Sequence, residues 1–122
     1  MNDGTMLLRQ IHPAFVQADQ ATSQAFRPTP KDDGKLSVYD GDKITAEKAW
    51  SHYTSTLGYE SAGVMGLLVE ECTKANVSPA SDPAPFLEHC VVDFTKLTTN
   101  KEIDNTAKML KRAANARGWL HP

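Results

Sequence analysis

The chain has no apolar run near the roughly 18 residues that a membrane span needs. Its start, MNDGTMLLRQ, has neither the basic n-region nor the long apolar core of a secretory signal. Strong charge of one sign is also missing: the net charge is −2, which argues against the whole molecule being an electrostatic nucleic-acid binder. There are only two cysteines, Cys72 and Cys90, with no CxxC spacing. Without a secretory signal they read as two reduced, buried thiols, and the expected compartment is a reducing cytoplasm. Zinc would need a second half to Glu88-His89-Cys90 that the chain does not offer, so neither a metal nor another cofactor is expected. GxGxxG, P-loop, GxSxG, HExxH and EF-hand patterns are all absent, as are internal repeats, low-complexity tracts and linkers. Any chemistry must therefore come from residues that the fold brings together.

What is present is an ordinary globular composition. Apolar residues make up 40% of the 122 and charged residues 23%, too apolar for a disordered chain and enough for one core. Charge is uneven: residues 100–122 carry +3 and the preceding 99 carry −5. The positive part includes Lys108, Lys111, Arg112 and Arg117 near a helix C-terminus. Matching to the helix dipole accounts for it, which weakens a nucleic-acid role.

Residues 6–11, MLLRQI, read as a strand broken by His12-Pro13. Residues 17–24 are polar and irregular. The segment 27–35, RPTPKDDGK, reads as a surface loop, and 36–39, LSVY, as an alternating strand closed by Asp40-Gly41. A helix then runs from an N-cap at Thr45 through Ala46, Ala49, Trp50, Tyr53 and Leu57 to a C′ glycine, Gly58. Residues 62–69, AGVMGLLV, read as a buried central strand, although Gly63 and Gly66 weaken it. One or two helical turns over 70–76 precede the proline-rich loop 77–87, and 90–94, CVVDF, is another strand. Thr99 and Glu102 form a capping box for a last helix whose buried stripe is Ile103, Ala107, Leu110 and Ala114; Gly118 stops it and Trp119-Leu120 folds back. The expectation is a single α+β domain over 1–122, a small sheet of about four strands packed by two main helices, with sheet order unreadable.

Three groups carry candidate chemistry. Arg9 could hold a phosphate or carboxylate by its planar fork, and His12 could act as acid or base. The plainer alternative makes Arg9 a surface residue and His12 the cap of the turn with Pro13. Ser23, Phe26 and Arg27, with Thr22, Thr29 and Lys31, could line a nucleotide pocket in which Phe26 stacks on a base and the cations meet phosphates. Otherwise this is an exposed loop pinned by Phe26 in the core. Asp82-Pro83 and His89 end a long loop, and His89 could be a second acid/base opposite His12, or a strand-entry histidine bonded to loop backbone. His52 reads as solvated and His121 as frayed. Asp32-Asp33 and Asp40-x-Asp42 read as turn residues rather than cation ligands.

The stretches LLRQIHPAFV, TSQAFRPTPKDDGKLSVYDGD and SDPAPFLEHCVVDF resemble an uncharacterised class of small stand-alone bacterial proteins that share H-P-x-[FW], S-x-x-F-x-P-T and D-P…H patterns. The resemblance covers most of residues 7–94 and implies no settled activity. A fainter likeness is to ADP-ribosyltransferase-like and RES-type folds, with Arg9, His12, Ser23 and Glu88 in the corresponding places. The chain lacks their S-T-S triplet, E-x-E pair and NAD clamp. The leading expectation is a polar cleft of Arg9, His12, Ser23 and His89 that binds a nucleotide or other phosphorylated ligand, with transfer or hydrolysis through a histidine acid/base. The alternative is a non-enzymatic interaction module, such as an antitoxin, immunity or accessory protein, whose loops 27–35 and 77–87 contact a protein partner. A homodimer stays open under either.

Overall fold

The computed structural model describes all 122 residues. Strands β1 (Met6–Ile11), β4 (Lys35–Asp40), β5 (Gly63–Leu68), β6 (Ser78–Ser81) and β7 (His89–Asp93) form one antiparallel sheet in the order β5-β1-β4-β7-β6. A two-residue ribbon pairs β2 (Val16–Gln17) with β3 (Gln20–Ala21). The helices are α1 (Ala46–Ser51), continued by a π-helical turn over His52–Thr56, then α2 (Val69–Lys74) and α3 (Asn100–Arg117). The domain is α+β as expected, but its sheet has a fifth strand. Ser78–Ser81 lies inside what reads as a loop. It pairs along β7 as an edge strand, where Pro79 is tolerated because an edge needs half the ladder bonds. Residues 17–24 are likewise not irregular: they hold the end of β2, all of β3 and the start of a 3-10 turn over Ser23–Phe26.

Alternation sorts the sheet into two faces. Leu7, Ile11, Leu36, Val38, Met65, Leu67 and Val92 build the main core, together with Phe26, Ala107, Leu110 and Ala114. Helix α3 covers this face, and its capping box forms as the sequence predicts, with Thr99 and Glu102 reciprocally bonded. Arg117 ties the end of α3 to the sheet by donating to Gly66 O at 2.7 Å and pairing with Glu71 at 3.0 Å. Both cysteines are buried and unpaired, and burial pushes the Cys72 thiol up to about 12.

The opposite face is covered less completely. Leu8, Tyr39, Val64 and Ala49 form a small cluster flanked by Trp50, Tyr53 and Phe86. α1 starts as expected, with Thr45 Oγ1 accepting from Lys48 N. It does not remain α-helical to Leu57: the Leu57 N–H donates to His52 O, five residues back. No helix is long and apolar enough to cross a membrane.

Gly63 and Gly66 mark a contact rather than a weakness in β5. The C-terminal segment lies along this edge of the sheet, where Val64 N donates to His121 O at 2.7 Å and Leu120 N to Val64 O at 2.8 Å. His121 is therefore bridged to the sheet, not frayed. A Cβ on Gly63 would stand 2.4 Å from His121 O and 2.9 Å from the Trp119 ring. Gly63→Ala should therefore lift the C-terminal segment and cost about 1–3 kcal/mol, the range for overpacking. Urea denaturation measures the loss, and hydrogen exchange at Val64 and Leu120 should accelerate beyond the rest of the sheet.

Candidate functional site

The site begins with a missing piece of sheet. β1 pairs β5 over its whole length, and β4 pairs β7 from Lys35 to Tyr39. Between them β1 and β4 share only Leu7↔Asp40 and Leu8↔Tyr39. Beyond that point the ladder stops. Gly41 N donates to Met6 O, so the odd-numbered backbone groups of β4 face β1, and the Ser37 carbonyl is one of them. The Arg9 side chain serves that carbonyl in place of a strand. Its Nη1 donates to Ser37 O at 2.9 Å and its Nε to Ala25 O at 2.8 Å. No carboxylate lies within ion-pair distance of Arg9, and its Nη2 has no acceptor in the protein. Burial lowers the Arg9 pKa, opposed by the nearby Tyr53 and Asp32.

A cleft of about 550 Å³ opens at this parting. Arg9, Gln10, Ser37 and Tyr39 come from β1 and β4, Tyr53 and Tyr59 from the π-helical turn and the loop after it, and Pro85 and Phe86 from the loop before β7. Thr29 and Asp32 also line it. Asp32 is engaged within its own turn, accepting from Thr29 N at 3.0 Å and Thr29 Oγ1 at 2.7 Å. Gln10 is 7% exposed. Its Oε1 accepts from Ser61 Oγ at 2.7 Å, while Nε2 has no partner. Turning the amide over only exchanges the orphan, since Ser61 Oγ is the sole polar atom it meets.

An aromatic cluster forms one wall. Phe86 lies 4.7 Å from the His52 ring, 5.1 Å from Tyr39 and 5.2 Å from His89, between centroids. His52 is not solvated as its helix position suggests, because its Nδ1 shares a 2.8 Å hydrogen bond with the Tyr39 hydroxyl. Burial raises the Tyr39 and Tyr53 phenols above their ordinary value, so both are neutral at pH 7. His89 is nearly buried. Its Nδ1 lies 2.9 Å from Asp82 O and 3.3 Å from Asp82 Oδ2, and its Nε2 lies 3.2 Å from Ser37 Oγ.

Of the residues singled out from sequence, the fold brings Arg9, Thr29 and His89 into this cleft. His12 is not among the lining residues: its Nδ1 accepts from Ala14 N at 3.0 Å and caps the 3-10 turn Pro13–Phe15. Ser23 opens the next 3-10 turn, also away from the cleft. Phe26 is 0% exposed in the main core and has no free face for stacking. Arg27 pairs with Asp104 and reaches Asn100 at the start of α3, beside a smaller depression of about 280 Å³. Ser37, Tyr39 and Gln10 were not singled out. The alternation of LSVY places Ser37 and Tyr39 on one face, but nothing local shows that β1 leaves that stretch of β4. No group of three or more His, Cys, Asp or Glu side chains is placed to hold a metal ion.

Arg9→Ala would remove the donors of Ser37 O and Ala25 O and should destabilise the domain by about 1–3 kcal/mol. Arg9→Lys should recover only part of that, because one ammonium cannot span both carbonyls as the planar fork does. Chemical denaturation of the two variants measures the difference. No family model, curated protein or solved structure matches the chain.

Proposed function

We propose that the cleft binds a small anionic ligand with a flat apolar part, of which a nucleotide or another phosphorylated molecule is the leading case. The observation that carries this reading is Arg9. It is a partly buried cation with two edges held by carbonyl oxygens and Nη2 left without an acceptor. A partly buried guanidinium with no carboxylate partner is stabilised by an incoming anion, and its fork suits phosphate or carboxylate oxygens. Tyr53, Tyr59 and Phe86 supply ring faces for the apolar part, and Gln10 lines the same cleft. A volume of about 550 Å³ accommodates a ligand of mononucleotide size.

A second reading rests on the rim. Leu87 is 67% exposed and Tyr59 59% exposed, and both loops proposed as a contact surface contribute to the cleft, through Thr29 and Asp32 and through Pro85 and Phe86. A partner protein could seat a side chain there, so the loops and the cleft would form one surface.

Isothermal titration with AMP, inorganic phosphate and benzoate tests the leading reading. AMP should bind the native chain, and Arg9→Met should weaken it by about 10- to 100-fold, the loss expected for a charge-assisted contact. Tyr53→Ala should weaken AMP and benzoate but not phosphate. Absence of binding by all three, or equal binding by native protein and Arg9→Met with circular dichroism unchanged, overturns it.

A further inference from the structure

Resting on that reading of the cleft as a ligand site, we propose that Ser37 is a nucleophile within it, activated by His89 with Asp82 as positioning residue, and that the substrate class is small carboxylic esters. The three groups come from separate segments. Ser37 lies on β4, His89 opens β7, and Asp82 follows β6; the register Ser37↔Val91 and Tyr39↔His89 sets the imidazole two pairs along the ladder from Ser37.

The hydrogen bonds determine the tautomer of His89. Its Nδ1 faces the Asp82 backbone oxygen at 2.9 Å and the Asp82 carboxylate at 3.3 Å. A carbonyl oxygen only accepts, so Nδ1 carries the hydrogen. In the neutral ring Nε2 is then bare, and its one partner is Ser37 Oγ at 3.2 Å. The hydroxyl must donate to it. This is the arrangement a serine needs to lose its proton as it attacks: hydroxyl to bare nitrogen, opposite nitrogen held by an acceptor. Phe86 packs edge-on to the imidazole at 5.2 Å and limits its rotation. A structural histidine would be satisfied by the Asp82 contacts alone, yet here its second nitrogen turns to an exposed serine in the cleft.

The step balances without an external oxidant or reductant. The Ser37 Oγ lone pair forms a bond to the ester carbonyl carbon, the carbonyl π pair moves onto oxygen, and the Oγ proton passes to His89 Nε2. The oxygen pair then re-forms the carbonyl and expels the alkoxide, which takes that proton and leaves as the alcohol. Water attacks the acyl-serine and gives a proton to Nε2. Collapse releases the carboxylic acid and returns the proton to Ser37. Arg9 Nη1 already bonds the Ser37 carbonyl, so a positive charge stands beside the residue that attacks. The acid product ionises to a carboxylate, the kind of anion proposed for Arg9.

A fluorophosphonate probe on the full chain, followed by intact mass and peptide mapping, tests this. One adduct should form, on Ser37. Ser37→Ala should abolish it, and His89→Gln should slow it at least about 100-fold with circular dichroism and melting temperature preserved. Asp82→Asn retains the backbone acceptor, so labelling should slow less than with His89→Gln. Turnover of p-nitrophenyl acetate should be lost in Ser37→Ala with a fall in kcat rather than a rise in KM. No adduct, an adduct elsewhere, or labelling indifferent to His89 overturns the nucleophile. AMP binding that survives such a result leaves the cleft reading standing. Loss of AMP binding in Arg9→Met with Ser37 still labelled supports both.

Discussion

The Arg9 guanidinium occupies the place of a strand. Where β1 parts from β4, the Ser37 carbonyl would lose its sheet partner, and Arg9 supplies the donor while also holding Ala25 O of the neighbouring 3-10 turn. A side chain can do this because the guanidinium presents several donors in a rigid plane, so one cation satisfies two acceptors on separate segments. The consequence is a central sheet that stays joined through β1 and β4 at one end and opens at the other. The opening becomes a cleft, and the charge that bridges it is left beside the cavity without a carboxylate.

The rest of the site follows from how that opening is walled. α1 is short and changes to a π-helical turn at His52, which carries Tyr53 to the cleft while Trp50 stays on the sheet. Phe86, from the proline-rich loop, sits among His52, Tyr39 and His89, so the aromatic wall is one contiguous cluster. Four histidines take four roles here. His12 caps a turn, His52 shares a hydrogen bond with a phenol, His121 pairs with the edge strand, and His89 connects a loop to a cleft serine. Residue type says little about which is which; the partner of each ring nitrogen, or of the backbone, decides it.

Much of the fold was legible because its signals are local. The Thr99–Glu102 capping box, the stripe Ala107, Leu110, Ala114 and the Thr45 cap predict α3 and the start of α1 from contacts within a few residues. The strand at Ser78–Ser81 was hidden because its proline count argues for a loop, and only an edge position beside β7 makes it a strand. For the candidate site, Arg9 and His89 stood out by chemistry. His12 stood out equally and lies elsewhere, because the chain leaves the sheet at Pro13. Phe26 and Arg27 looked like ligand contacts in a polar stretch, yet long-range packing places one in the core and the other on α3.

Taken by itself, the sequence determined the α+β class, both ends of α3 and the start of α1, since these rest on periodicity and capping between near neighbours. Tertiary structure alone decided the sheet order, the parting of β1 from β4, and the meeting of Arg9, Ser37, Asp82 and His89. Those residues are spread over more than seventy positions, and hydrogen-bond register across strands brings them together. Register depends on which strand lies beside which, and no local run of residues carries that information.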